Sequence, residues 1–286
     1  MKPMSPAPKL VLAAAIYLVT TSQSPAPNVV GYVNVPVSAN RYHLVANPLS
    51  ATNNVLNTVI PTMPDGSKAW IWNITDQTFL GPSVYSSSSG NWTINYPVSV
   101  GRGFMLCSPV NYTNTFIGEV MQGTLINPVA GTNKLSLLGS MVPMVGGLAS
   151  VHQFPVSDGD TVFKYASLNH QYQSADMYHS GYGWFTNEPN LGVAEGFFIR
   201  HPGPSINWIR NFTVSFASSP SPSWIKGYSI RNGVVTLEIN EATKPYNVQF
   251  STDRVNWTDI AVNQTNATWQ STLPSGSAGF FQVILP

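Results

Sequence analysis

Short runs of alternating hydrophobic and polar residues recur along the chain, and clusters of glycine, proline, asparagine and serine separate them. The stretch "VVGYVNVPV" places Val29 and every second residue up to Val37 on one face, with Val30, Tyr32 and Asn34 on the other. A period of two is the period of a β-strand. Further runs such as "KAWIW", "WTINY", "GFMLC" and "NTFIG" are rich in β-branched and aromatic residues. The pattern therefore predicts an all-β fold.

One stretch departs from this pattern. In "TNNVLNTVI" (Thr52–Ile60) the residues Val55, Leu56, Val59 and Ile60 share one helical face, and a threonine or asparagine can cap the start. A short helix is expected there. The matching stretch "GGLASVHQF" contains two glycines, which makes a second helix less favourable.

Two stretches ninety-odd residues apart are nearly the same: "VGRGFMLCSPV" (100–110) and "VAEGFFIRHPG" (193–203). Further matches keep the same order at offsets of 91 to 93 residues: Leu44 with Leu135, Gly66 with Gly159, Trp92 with Trp184, and Gly103 with Gly196. We interpret these as two copies of a β-sandwich or barrel-like module of about 92 residues, spanning 28–123 and 124–216. The glycines at 103 and 196 are expected to allow a bend or close packing.

The chain changes character after the second copy. A small, polar, proline-rich stretch at 217–223 is typical of a linker. Residues 224–286 contain a strand pattern, "GVVTLEI", a hairpin pattern with a turn through Asp253, "YNVQFSTDRVNWTDIA", and a last strand pattern, "GFFQVILP". They are long enough for a small β-sandwich.

The first 26 residues have the features of a secretory signal peptide. Lys2 and Lys9 flank the start of an apolar run, "LVLAAAIYLV", which is too short to span a bilayer, and small residues follow with a cut expected between 22 and 26. No later segment is apolar enough for a membrane helix, so a secreted or cell-surface protein is expected.

Composition narrows the possible partners. Only 9% of residues are charged and the net charge is +1, so a nucleic-acid partner is not expected. Cys107 is the single cysteine, which excludes a disulfide within the chain, and it is expected to pack as a small apolar group.

Several of these motifs resemble a known group of proteins. The series "YHLVANPLSATNN…WIWN…VGRGFML…FIGEVMQG" is similar to a module that occurs in tandem in secreted proteins of Gram-negative bacteria, with "LIANPL" and "GEGFFI" strands. The second copy keeps "EGFFI" but lacks the "NP" motif. The tail resembles a "Y-x-V-Q-x-S-T-D-x-x-N-W" module that often ends such proteins. The resemblance implies secretion and a modular all-β build, and it implies no activity.

Motifs of the common hydrolases, zinc enzymes and nucleotide-binding proteins are missing from the sequence. Glu119 and Glu195 lie next to the repeated glycine strands, and a glycosidase needs two facing carboxylates. Because Arg102 replaces Glu195 in the other copy, we expect surface charges instead. A hydrolase with an unrecognised carboxylate site remains an alternative, and no cofactor is expected.

His170, Asp176 and His179 form the densest group of metal-ligating residues. Catalytic zinc needs three protein ligands around an open position. These three residues fall in one loop or hairpin, and the first copy has "SSSSG" there. They are only weak candidates, and no metal site is expected.

Aromatic residues next to turns are the remaining signal. Trp92 and Trp184 occupy matched positions, and Tyr178, Tyr182 and Phe185 lie near Trp184. Flat aromatic faces beside amides and hydroxyls suit sugar rings. The competing interpretation is that both tryptophans fill the cores of repeated modules.

The sequence therefore supports a non-catalytic structural or adhesion protein outside the cell. Its expected partners are extracellular matrix, a glycan, or further copies of itself through open strand edges. The alternative is a carbohydrate-binding protein that uses Trp92, Trp184, Tyr178 and Tyr182.

Overall fold

The structure is a computed structural model that describes residues 28–214, 224–240 and 244–285. The expected signal segment (1–26) and the expected linker (217–223) lie outside the described residues. The described residues form strands and one four-residue helix, so the predicted all-β fold is confirmed. No helix in the described ranges is both long and apolar enough to cross a membrane.

The elements of the first repeat, in chain order, are β1 (Val30–Val37), β2 (Tyr42–Ala46), α1 (Leu56–Val59), β3 (Lys68–Asn73), β4 (Thr78–Ser86), β5 (Asn91–Trp92), β6 (Gly103–Cys107) and β7 (Tyr112–Glu119). The expected helix is present but shorter than predicted. It buries Leu56 and Val59.

The strands of the second repeat are β8 (Gly123–Val129), β9 (Leu135–Leu138), β10 (Gly146–Gly147), β11 (Thr161–Phe163), β12 (Tyr165–Ala166), β13 (Gln171–Tyr172), β14 (Asp176–His179), β15 (Gly183–Trp184), β16 (Asn190–Leu191), β17 (Phe197–Arg200) and β18 (Ile206–Phe212). The tail contains β19 (Ile225–Arg231), β20 (Val234–Ile239), β21 (Tyr246–Ser251), β22 (Thr258–Gln264), β23 (Thr268–Thr272) and β24 (Ala278–Ile284).

Both repeats have the same strand order. The first forms a sheet β2-β6-β3-β4-β5, and the second forms β9-β17-β11-β14-β15. A two-stranded pairing accompanies each sheet, β1 with β7 and β8 with β18. In each repeat this pair packs on the sheet, through Val33 and Phe116 in the first copy and through Val129 and Trp208 in the second.

Strand pairing gives the correct alignment of the copies. Tyr42 lies opposite Cys107 in the first repeat, and Leu135 lies opposite Arg200 in the second. Leu44 therefore corresponds to Leu137, and the match of Leu44 with Leu135 made from sequence is wrong by two residues. A slip of two residues leaves every side chain on the same face, so the hydrophobic pattern does not reveal the error.

The repeats contact each other through equivalent residues. Val45 forms an isolated antiparallel β-bridge with Glu195, and the equivalent β-bridge joins Arg102 to Leu138. The amide of Ala46 donates to the carbonyl of Ala194 at 2.9 Å, while Gly139 donates to Gly101 at 3.0 Å. Exchange of the two copies converts each contact into the other, which is the signature of a two-fold axis. The repeats are thus related by a pseudo-two-fold axis.

The repeated glycines lie at this interface. A Cβ on Gly196 would come within 2.8 Å of the carbonyl oxygen of Val45, and one on Gly103 within 2.7 Å of the Leu137 side chain. Atoms that close leave no room for a side chain. The expected close packing at Gly103 and Gly196 is confirmed.

Strand β1 joins the first repeat to the tail. It pairs with β7 on one edge and with β24 on the other, within a sheet of order β22-β21-β24-β1-β7. Val33 and the other residues on the same face of β1 pack in the core of the first repeat. Val30 and Tyr32 pack in the tail core, between this sheet and the sheet β19-β20-β23. The tail sandwich therefore includes a strand of the first repeat.

Candidate functional site

Trp92 lies in the core and is not available to a ligand. Its side chain is 4% exposed, its indole N–H donates to the carbonyl of Ile60 at 2.9 Å, and its ring packs on the edge of Tyr85. The indole ring fills the space between β5, β4 and the end of α1, so the prediction of a binding role for Trp92 is wrong.

Trp184 and Tyr178 are half-buried. They face each other across the pairing of β14 with β15, with ring centroids 5.4 Å apart at an angle of 71°. In this edge-to-face contact the rings of Trp184 and Tyr178 pack against each other. Packing within the hairpin therefore takes up part of the surface of both rings.

Tyr182 is the predicted residue that lies on the surface. It is 60% exposed, and its ring stacks on His179 with centroids 4.2 Å apart and planes 8° apart. Phe185, 57% exposed, meets the edge of Tyr182 at 5.2 Å. We call His179, Tyr182 and Phe185 the aromatic tip. The tip presents apolar ring surface that no described residue covers.

The turn that carries the tip is anchored by the same aspartate–serine contact in both repeats. The carboxylate of Asp158 accepts hydrogen bonds from the amide of Ser180 at 2.8 Å and from its hydroxyl at 3.1 Å, and Asp65 holds Ser87 equivalently. These hydrogen bonds lower the pKa of Asp158. The anchoring of the turn is therefore shared. The strand pairing places Ser86 and Thr93 of the first repeat at the positions of His179 and Phe185, and serines and Gly90 form the loop where the second repeat has Tyr182.

Polar groups flank the aromatic tip. The Asp158 carboxylate lies 3.9 Å from His179, and the hydroxyl of Thr186 donates to Asp176. Aromatic faces bordered by carboxylates and hydroxyls can contact a sugar ring while binding its hydroxyl groups. Sequence analysis considered His179 only as a metal ligand and did not show that the rings of His179 and Phe185 are exposed, because sequence does not show which aromatic residues of a hairpin face solvent.

The weak metal candidates are separated in the structure. His170 contacts the ring of Tyr42, Asp176 accepts from Thr186, and His179 stacks on Tyr182. Within the described ranges, no three His, Cys, Asp or Glu side chains form a group that could hold a metal ion.

Glu119 and Glu195 have separate surroundings. Glu195 forms an ion pair with Lys164 at 3.0 Å and accepts from the amide of Gly192. Glu119 accepts from the side chain of Asn28 at 3.1 Å. Each carboxylate is thus held by its own neighbours, and neither contact pairs it with a second carboxylate as glycoside hydrolysis needs.

The second repeat contains a buried acid–base pair that sequence analysis missed. Asp160 and His201 lie 2.6 Å apart, with their side chains 0% and 4% exposed. Burial raises the pKa of Asp160, which the hydrogen bond with His201 opposes. The strand register places Ser67 and Ser108 at the matching positions, and both are buried. Because solvent does not reach the pair, its role is structural.

An apolar pocket of about 250 Å³ lies between the repeats. Its lining residues come from both copies and are aromatic or aliphatic: Trp72, Phe79, Leu135, Phe163, Tyr172 and Phe198. Trp72, Phe79 and Phe198 contact one another edge to face at 4.8 to 6.0 Å. The indole N–H of Trp72 donates to the carbonyl of Leu135, so this polar group is already used. The contacts hold the repeats together.

Cys107 is half-buried at the end of β6. Burial raises the pKa of its thiol, although Lys68 nearby opposes this. A raised pKa reduces the thiolate fraction and hence the reactivity of the sulfur.

Comparisons of the chain with protein-family models, with curated proteins and with solved structures found no match.

Proposed function

We propose that this protein is a secreted or cell-surface adhesion protein, without catalytic activity, that contacts carbohydrate through the aromatic tip of its second repeat. The observation that carries the proposal is the exposed stack of His179, Tyr182 and Phe185 on a turn. The first repeat anchors its corresponding turn with the same aspartate–serine hydrogen bonds, although its loop (87–90) is one residue longer than the loop of the second repeat (180–182). No residue of the loop 87–90 is aromatic, so these hydrogen bonds do not depend on aromatic residues.

The chemistry of the tip suits a sugar ring. Exposed apolar ring surface costs solvation free energy unless a partner covers it. The axial C–H groups of a sugar provide a matching apolar face, and Asp158, Asp176 and nearby hydroxyls can bind its hydroxyl groups. A location outside the cell is supported by the apolar segment near the N-terminus.

The test is a glycan array probed with residues 27–286 and with the variants Tyr182→Ala and Phe185→Ala. Loss of one stacking ring is expected to weaken binding at least tenfold, or about 1.4 kcal/mol. Leu168→Ala is the matched control, because Leu168 is 73% exposed and lies in another loop. Binding that both tip variants retain, or the absence of glycan binding by the unchanged protein, would contradict the proposal.

A further inference from the structure

A cleft of about 710 Å³ lies between the first repeat and the tail. Strand β7 forms one wall with Tyr112, Asn114, Thr115 and Ile117. The turn between β19 and β20, which contains Arg231, forms the other wall. We call this the β7 cleft. Because β7 is the last strand of its sheet, the cleft follows an open strand edge.

The direction of the β7 backbone groups follows from one contact. Glu119, at the end of β7, exchanges two backbone hydrogen bonds of 2.9 Å with Ser50, on the side away from β1. In an antiparallel pair, alternate residues direct both their N–H and their C=O to the same side. The pairing of β1 with β7 is regular over its whole length. Every second residue of β7, counted back from Glu119, therefore directs its backbone groups away from β1.

Thr115 and Ile117 therefore direct their backbone N–H and C=O groups away from β1. Neither residue makes a backbone hydrogen bond on that side to a residue that the structure describes. Both line the cleft. Ser50 thus occupies the first pairing position on this edge, and the next two positions are open.

Asn114 provides a second, independent observation. Its side chain is 2% exposed, and its amide nitrogen has no hydrogen-bond partner among the described residues. A buried donor without a partner costs roughly 1 to 3 kcal/mol. Asn114 also lines the cleft, so an acceptor placed there would remove this cost.

We propose that the β7 cleft binds an extended segment of another polypeptide, which pairs with the outer edge of β7 as a further strand. The segment would continue the pairing that Ser50 begins, using the backbone groups of Ile117 and Thr115. Its carbonyl groups would accept from Asn114. The exposed cation of Arg231 favours a segment with a carboxylate near that turn.

A peptide fits these groups better than a sugar does. The open backbone groups recur every second residue, which is the spacing of a partner strand. The hydroxyl of Tyr112 already donates to the carbonyl of Thr62 at 3.2 Å, and that of Thr115 to Asn34 at 2.7 Å, so these side chains offer little to a sugar.

The test uses a phage-displayed library of random 12-residue peptides, selected on the full mature protein. Selected peptides are then measured against two variants at one position. Thr115→Pro removes the outward N–H, which β1 does not use, and an edge strand tolerates proline at such a site. Thr115→Val keeps that N–H and removes the same hydroxyl. We expect at least a tenfold loss of affinity for Thr115→Pro and less than a twofold change for Thr115→Val.

Asn114→Leu removes the buried donor and is expected to weaken binding severalfold without loss of thermal stability. Hydrogen exchange of the unchanged protein gives a readout that needs no variant: bound peptide should slow the exchange of the Thr115 and Ile117 amides. Three results would overturn the proposal: no peptide enriched over a bare surface, equal losses for both Thr115 variants, or unchanged exchange at these amides. Glycans that protect the same amides while peptides do not would also overturn it. Binding at the aromatic tip is tested by other variants, so the two proposals can fail separately.

Discussion

At the scale of single residues, the second repeat contains an unusual buried cation. Arg210 is 3% exposed and donates to Nδ1 of His152 at 2.9 Å and to the hydroxyl of Ser140 at 3.4 Å. His152 is fully buried. Burial and the nearby Arg210 lower the pKa of His152 to about 4. The imidazole is therefore neutral in the folded protein over most of the pH range.

This arrangement predicts a loss of stability in acid. The pKa of His152 is lower in the folded chain than its ordinary value of about 6.5, so the unfolded chain binds the proton first. The full contribution is present above pH 6.5 and is lost as the pH falls toward 4, by about 3 kcal/mol. Urea unfolding of the protein and of His152→Gln at several pH values measures the difference. The exposed His170→Gln serves as control, and equal pH dependence in all three proteins would contradict the assignment.

Asp160 and His201 give a second prediction for single residues. Replacing one member leaves a buried polar group without its partner and is expected to cost about 3 to 5 kcal/mol. Asp160→Ser together with His201→Ser introduces the residues that the first repeat has at the matching positions, Ser67 and Ser108. The double variant should cost clearly less than the sum of the single ones. A double-mutant cycle by urea unfolding measures this, and strictly additive losses would rule out the coupling.

Burial of individual aromatic residues could not be predicted from the sequence. Trp92 and Trp184 occupy matched positions, yet Trp92 is inside the core and Trp184 is half-buried. Exposure depends on neighbours that are distant in sequence, such as Ile60, which accepts the Trp92 N–H. Tyr182, a candidate from sequence, is 60% exposed, as residues beside glycine-rich turns often are.

At the scale of elements, the contact between the repeats depends on the absence of side chains. A Cβ on Gly139 would lie 2.2 Å from the Cβ of Ala46 and 2.9 Å from the carbonyl oxygen of Glu195. By the strand register, Gly139 is the counterpart of Ala46, so this position meets its own equivalent across the pseudo-two-fold axis. Only one methyl group fits there.

Gly139→Ala is therefore expected to destabilise the protein by about 1 to 3 kcal/mol, through overpacking at the axis. The combination with Ala46→Gly moves the single methyl group from one repeat to the other and should recover a large part of the loss. Urea unfolding of the two single variants and the double variant measures both effects. No recovery in the double variant would show that the strain comes from the backbone of Glu195 instead.

Strand β1 shows what a hydrophobic pattern predicts about a strand and what it does not. The alternation correctly assigned Val33 to one face and Val30 and Tyr32 to the other. Both faces proved to be buried, in two different cores. A period of two identifies the faces of a strand, but what covers each face is set by chain segments far away in the sequence.

At the scale of the whole molecule, the shared sheet should make the tail and the first repeat unfold together. Phe281 of β24 lies opposite Val30 of β1 and is 1% exposed. Phe281→Ala is expected to cost about 3 to 5 kcal/mol and to lower the transition of both parts. Hydrogen exchange of the β7 amides, followed with calorimetry, reports on the first repeat. The control is Ile260→Ala, on an exposed strand of the tail. A separate early transition for the tail, with unchanged β7 protection, would contradict this coupling.

The sequence predicted the class of fold, the duplication and a small sandwich at the end of the chain, because strand period and repeated motifs are local signals. It did not predict the pseudo-two-fold axis, the pairing of β1 with β24, or the cleft between β7 and the tail. Each of these joins residues that are distant in the chain. The sequence also did not predict the contact of Asp160 with His201, which the fold brings within 2.6 Å of each other.

The pairing of β24 with β1 also affects the order in which parts of the protein can fold. The hydrogen bond from the Tyr32 hydroxyl to the carbonyl of Pro274 spans 242 positions of the chain. Strand β1 is made before β24, which completes its edge, and before the tail strands that cover its second face. Contacts between such distant segments form slowly, and an unpaired apolar strand is prone to wrong partners until they do. The pairing of β1 can therefore be completed only after the segment that contains Pro274 and β24 has been made.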